Sequence, residues 1–339
     1  MTVFVRLRSR LAFAALAAAC ALLACVATAA ERAAASAVFT EDEVRRILSH
    51  GPWPVPAKPD PTNRFSGKPE AIDFGARLFF EARLSAKGTV SCGSCHEPDR
   101  HWSDNLARGV GVAEVDRNTP TVMNLRGGRW YNWDGAADSL WSQAVRPLLD
   151  AREMAATPRH VAQLLRSDEQ LSCRYRKAFG VPPPADDEAV LVAVAKAIAA
   201  FEETLVSGRT PFDVFREALA RGDAPSSWTY SEPAIRGLKL FLGKGGCANC
   251  HSGPNFTNGE FFATGLSRFA PRGKPDAGRV EGAREVLASR FNLLGPYNDD
   301  ASGAAAQATR TLAGEKIAPG EFKVPSLRNL VLSAPYGRD

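Results

Sequence analysis

The chain is poor in the residues that staple, charge or anchor a protein. Seven cysteines and five histidines in 339 residues are too few, over this length, for a disulfide framework to carry the fold. Charge of one sign is lacking as well. Forty-two Lys and Arg stand against 37 Asp and Glu, a net +5. Arg6, Arg8 and Arg10 lie in the first thirty residues with no acid beside them, so the remainder carries +2. That leaves no basic field suited to nucleic acid. The apolar stretch Leu11 to Ala24 has 14 residues, too short to cross a bilayer comfortably. Convincing alternating strands are missing too, and apolar residues instead recur at three- and four-residue spacing.

Residues 1–30 read as a signal peptide: a positive n-region, the apolar stretch, then the small residues Ala27-Thr28-Ala29. Lipoprotein processing at Cys25 is the weaker alternative, because Leu23 is bulky for its place before such a cysteine. Either route exports the protein, with the periplasm as its destination.

Five cysteines then remain, and four of them fall in two copies of one pentapeptide, Cys92-Gly-Ser-Cys95-His96 and Cys247-Ala-Asn-Cys250-His251. This is the c-type haem attachment signal. The thiols form thioethers to the porphyrin vinyl groups, and the following His supplies the proximal nitrogen to iron. Two copies imply two covalently bound haem c groups, with His96 and His251 as iron ligands. A split zinc site built from the two Cys pairs is the bland alternative, but zinc does not require a His after each pair. Cys173, the odd cysteine, is expected to be a buried, unreactive thiol.

Helical periodicity covers Glu41 to Leu48, Pro69 to Ala82, Thr157 to Arg166, Glu188 to Val206 and Glu232 to Leu242. The strongest, Glu188 to Val206, shows an apolar face through Val190, Val194, Ile198, Phe201 and Leu205. Gly51 to Lys68 and Pro182 to Asp187 are Pro-rich connectors, and Arg268 to Pro319 is too rich in Gly, Pro and Asp to expect regular structure. The fold class expected is mainly α, with two cytochrome c-like haem domains and much irregular loop. The segments are a signal peptide (1–30), an N-terminal arm (31–68), a first haem domain (69–219), a linker (220–231) and a second haem domain (232–339). His160, after Thr157-Pro158 at a helix start, is expected at a surface or capping position. No partner is evident for His50.

From Pro69 onward, ordered phrases resemble the bacterial di-haem cytochrome c peroxidase family, including its MauG-type branch. They are Arg117-Asn-Thr-Pro-Thr-Val-Met-Asn124, Trp133-Asp-Gly135, Gln143, Pro147, Glu153-Met154 and Phe201-Glu-Glu-Thr-Leu-Val-Ser-Gly208. The haem pentapeptide at Cys247, Phe322-Lys-Val-Pro-Ser-Leu-Arg-Asn329 and Ala334-Pro-Tyr336 complete the set. The resemblance implies that His96 holds the peroxidatic haem and His251 the electron-transfer haem. It places Trp133 between the haems as a relay, and Gln143 and Glu153 above the peroxidatic iron. It also implies a calcium ion held by Asn118 and main-chain oxygens near Ser333 and Pro335, in keeping with hard-cation chemistry. The implied partners are hydrogen peroxide, a small cytochrome c or cupredoxin donor, and a second copy in a homodimer. The chemistry supports the carboxylate independently. Splitting peroxide needs a proton taken from one oxygen and given to the other, which one partly desolvated carboxyl can do.

Two departures qualify the match. Well-studied members close the first iron with a loop histidine sixteen residues after the first haem histidine; here that position is Val112. The first haem is therefore expected to stay open. The His101 imidazole, five residues past His96, suits a loop surface better than ligation. The sixth ligand of the second haem, a Met or a Tyr, would fall beyond Asp339, so the chain reads as a truncated member. Three functions follow in order: a peroxide-reducing di-haem enzyme; a MauG-type enzyme oxidising a partner protein's side chain; and a non-catalytic di-haem electron carrier.

Overall fold

The computed structural model describes residues 38–225, 228–265 and 275–337; the expected signal peptide and Cys25 lie outside them. The helices, in chain order, are α1 (Glu41–Leu48), α2 (Pro69–Phe79), α3 (Cys92–Cys95), α4 (Leu140–Leu149), α5 (Pro158–Ser167) and α6 (Glu169–Phe179). They continue as α7 (Asp187–Glu202), α8 (Pro211–Arg221), α9 (Glu232–Leu242), α10 (Arg279–Ala288) and α11 (Gln307–Leu312). Sheet structure among the described residues is one short antiparallel pair, β1 (Phe261–Phe262) with β2 (Phe322–Lys323). No helix among the described residues is long and apolar enough to cross a membrane.

The chain packs as two compact units that interleave in sequence. One contains residues up to Val55 together with Gly208–Phe256. In it Thr40 accepts the amide of Glu43 and Glu43 returns the bond, a capping box that starts α1. Thr210 and Asp213 do the same for α8. Phe39, Ile47, Phe215, Leu238 and Leu242 form the core between α1, α8 and α9. The N-terminal arm thus supplies a helix to the unit that bears the second haem motif.

The other unit contains Pro56–Ser207 and the chain from Thr257 onward. Helix α7 lies at its centre and is buried on nearly every side, not on one face alone. It packs against α2, α4 and α5. Gly75 makes the α2–α7 approach possible, since a Cβ there would overlap the main-chain carbonyl of Ala197. Gly75→Ala is expected to cost about 1–3 kcal/mol, the usual penalty of overpacking. A lowered Tm with full haem content would show it; an unchanged Tm would mean the helices can part at no cost.

Regular structure exceeds the sequence expectation in places. Helices α10 and α11 form inside the Gly- and Pro-rich stretch 268–319. Arg279 anchors α10: it is 2% exposed, its guanidinium carbon lies 4.0 Å from the Trp130 ring centre and 4.2 Å from that of Phe261, and it donates to Gly135 O at 2.8 Å. Cys173 is exposed, not buried as expected. Helix α6 buries Leu171 and Tyr175, four residues apart on one face, and position 173 falls on the opposite side. The His160 amide donates at 3.1 Å to the hydroxyl of Thr157, the N-cap of α5, and its ring meets Arg83 O at 2.9 Å, so His160 lies half-buried in the first turn and Thr157, not His160, is the cap.

Candidate functional site

The first attachment motif forms the single turn α3, opened by reciprocal bonds between Ser91 and Ser94. The His96 amide closes the turn on Cys92 O at 2.9 Å. His96 Nδ1 then donates to Trp102 O at 3.1 Å. That bond places the proton on Nδ1 and leaves Nε2 as the lone-pair nitrogen a metal takes. Trp102 can present its carbonyl because it is left-handed, with φ +60°, a costly conformation for a bulky residue. Its ring is held by Phe79, Phe80 and Phe201. Burial holds the His96 ring below its ordinary pKa, the neutral state that ligation requires.

The second motif repeats the device in the other unit. Cys247–Asn249 form one 3₁₀ turn, and the His251 amide closes on Cys247 O at 2.9 Å. His251 Nδ1 donates to Phe256 O at 3.1 Å, and Phe256 is again an aromatic residue at positive φ, +51°. His50 completes this site, a role the sequence did not disclose. Its two ring nitrogens face Arg46 O at 2.8 Å and His251 O at 3.2 Å. The ring is 3% exposed and boxed by Phe212, Phe241 and Phe256. The N-terminal arm is therefore bonded to the backbone of the second haem ligand.

Burial pushes the Cys95 thiol up to about 11 and Cys92 higher still. Among the described residues no group of three or more His, Cys, Asp or Glu is disposed to hold a metal ion, so the split zinc site gains no support.

Gln143 and Glu153 come from one stretch of chain. Ser139 caps α4 by accepting the Ser142 amide at 3.1 Å, and Gln143 sits in its first turns. Pro147 lies inside the helix, and the chain then folds back: Met154 N reaches Pro147 O at 3.1 Å and Ala156 N reaches Leu148 O at 2.8 Å. This reversal presents Glu153 beside the helix. Gln143 Oε1 is buried with no hydrogen-bond partner among the described residues. A buried orphan acceptor is costly unless something else supplies a donor, and a hydroxyl-bearing ligand such as peroxide fits that need. Glu153 is half-buried, and desolvation, aided by the charge of Asp150 and opposed by Arg146 and Arg152, pushes its carboxyl up to about 7. Its charge raises both Cys92 and Cys95, so the carboxylate belongs to the surroundings of the first attachment site. Glu202, buried behind Cys92 and raised to about 8 by burial and by Glu203, is a second carboxyl there.

Trp133 and Asn118 are joined: the indole Nε1 donates to Asn118 O at 2.9 Å. The Trp133 carbonyl accepts the Lys323 amide at 2.8 Å, which ties it to β2. Asn118 spends its Nδ2 on Leu106 O at 2.6 Å, which leaves its side-chain oxygen for another partner. Ser333 and Pro335 follow the 3₁₀ turn Leu330–Leu332, on either side of Ala334.

A family model described as di-haem cytochrome c peroxidase matches residues 69–221. Methylamine utilization protein MauG of Methylorubrum extorquens is 36% identical over 274 residues, 80% of this chain and 65% of that protein. Cytochrome c551 peroxidase of Pseudomonas aeruginosa is 32% identical over 283 residues, covering 82% of this chain and 71% of that one. The corresponding Nitrosomonas europaea enzyme is 30% identical over 272 residues, with 80% and 69% covered. The chain thus spans about two thirds of the length of these relatives. Among solved structures, a MauG-like protein associated with microbial copper homeostasis superposes with TM-score 0.59 at 25% identity, over 85% of this chain and 78% of that one. The diheme peroxidase BthA of Burkholderia thailandensis shares the fold, with TM-score 0.61 at 22% identity over 83% and 71%.

Proposed function

Because the chain belongs to the di-haem cytochrome c peroxidase family, we propose that it is a periplasmic peroxidase that reduces hydrogen peroxide to water with electrons from a small cytochrome c or cupredoxin. The observation that carries this reading is a desolvated carboxyl, Glu153, in the electrostatic surroundings of the first attachment site; the helix just before it in the chain supplies a buried orphan acceptor, Gln143 Oε1. A haem held by Cys92, Cys95 and His96 would supply the redox-active iron. The polypeptide supplies the rest. His96 and His251 each donate Nδ1–H to a main-chain carbonyl, which holds the ring in orientation and makes Nε2 more basic. Gln143 Oε1 accepts a hydrogen bond from peroxide and so orients it. Glu153 takes the proton from one peroxide oxygen and returns it to the other, so that the bond breaks with water as the leaving group. Two further protons and two electrons complete the reduction to two waters.

In this proposal the unit that bears the Cys92–His96 motif serves the peroxidatic haem and the unit that bears the Cys247–His251 motif the electron-transfer haem, with Trp133 as relay. Asn118 and the carbonyls of Ser333 and Pro335 are the proposed calcium ligands, a set of hard oxygen donors.

A second reading, oxidation of a partner protein's side chain, is favoured by one observation. Val112 stands where a closing histidine would be, and its side chain has no atom that can ligate iron. Stopped-flow mixing of the holoprotein with peroxide, with and without a reduced small cytochrome c, separates the two readings. Stoichiometric consumption of the reduced cytochrome is the expected result. Peroxide consumption that leaves the cytochrome reduced would favour the second reading, and no reaction with peroxide would leave only an electron carrier.

A further inference from the structure

The loop from Arg108 to Asp116 is built against the acid–base residue itself. Val112 N donates to Glu153 O at 2.9 Å and Ala113 N donates to Arg152 O at 2.9 Å, so two successive loop amides hold the carbonyls of residues 152 and 153. It is braced internally by Gly109 N to Arg117 O at 3.0 Å, Val115 N to Gly109 O at 2.9 Å, and a bridge between Val110 and Glu114. At its other edge Val110 O lies 3.5 Å from Cys95 Sγ. One short segment therefore touches both the haem-attaching cysteine and the backbone of Glu153. Contact this close is possible only at a glycine. A Cβ on Gly111 would lie 2.5 Å from Glu153 O, 2.6 Å from Glu153 Cα and 2.7 Å from Arg152 O, all backbone atoms that cannot swing away. The Arg152–Asp116 ion pair, 2.8 Å long but about half exposed on both sides, adds little. The main-chain bonds and the missing Cβ define the contact.

We propose that this loop is a permanent clamp that positions Glu153 relative to the first haem attachment site, with Gly111 as the residue that lets it close. The inference rests on the reading of Glu153 as the acid–base residue. It goes beyond the absence of a closing histidine, because the loop gains a role of its own, which is to hold Glu153 in its working place whatever the redox state of the second haem. Gly111 is a positioning residue, acting only through the Glu153 backbone.

Amide hydrogen exchange on the wild-type holoprotein tests the clamp without relying on a variant that folds. The amides of Val112 and Ala113 should be protected equally in the fully oxidised and the half-reduced protein, since bonded backbone exchanges only on opening. Rapid exchange in either state would overturn the clamp. Gly111→Ala gives the second readout. It should take up both haems yet react with peroxide about tenfold or more slowly, since small misplacements of a reacting group are expensive. A Gly111→Ala rate equal to wild type, with Glu153→Gln slow, overturns the clamp alone. A wild-type rate in Glu153→Gln rejects the carboxylate's role and the clamp with it. If Gly111→Ala fails to take up haem, the exchange result decides.

Discussion

Glu153→Gln will slow the reaction with peroxide by about 10²–10⁴-fold, the usual worth of a positioned general acid–base, while both haems still attach. The substitution keeps size and the main-chain bond that Glu153 O accepts from Val112, so the loss isolates the titrating group. The wild-type pH profile carries the same information. With the carboxyl pushed up to about 7, the group is ionised and able to accept a proton above that pH. It becomes protonated below, so the peroxide rate should fall as pH drops through about 7. That acid limb should vanish in Glu153→Gln. A rate within a few-fold of wild type, with the limb intact, would make Glu153 structural and move the acid–base role elsewhere, with Glu202 the next carboxyl to test.

The second large effect concerns the resting state. Position 112 holds a valine whose amide is committed to Glu153 O, and His101 sits at a left-handed turn (φ +60°) directly after the proximal ligand segment, too near His96 in the chain to reach the opposite face of a haem. The first haem should therefore be high-spin and open when fully ferric, and peroxide should react without prior reduction. EPR of the oxidised holoprotein provides the check. Two low-spin signals, with activity appearing only after one-electron reduction, would contradict it.

What the sequence disclosed and what it withheld follow from the range of the interactions. Helices α1, α2, α5, α7 and α9 were legible because each carries its own apolar period and a start signal, a side-chain cap in four of them and Pro69 at the first position of α2. Helix α8 carried readable signals too, the Thr210–Asp213 capping box with Pro211 at the first position and Phe212, Phe215 and Leu219 at three- and four-residue spacing. Helix α4, which carries Gln143, was hidden by Pro147, which lies near its C-terminal end and so breaks few of its bonds. Helix α10 exists because Arg279 is sandwiched by Trp130 and Phe261, residues that only the fold brings to it. The attachment motifs were plain, since five consecutive residues hold the whole signal. The carbonyls that orient the two proximal histidines were not, because they depend on Trp102 and Phe256 adopting positive φ, against their ordinary preference. His50 was invisible for another reason: its partner, His251 O, lies 201 residues away, and no local pattern announces such a pairing. The buried carboxyl of Glu153 could be proposed from chemistry, but its desolvation, and the loop lying against it, belong to the folded chain.

Two c-type haems should be covalently attached to the protein, one at each Cys-x-x-Cys-His motif. Intact mass of the denatured holoprotein, paired with a pyridine haemochrome spectrum, measures this directly. Two haem masses that survive denaturation are expected, with one lost in a Cys92→Ala, Cys95→Ala double variant and the other in the Cys247→Ala, Cys250→Ala counterpart. A single haem mass, or bound zinc with no haemochrome signal, would contradict the account.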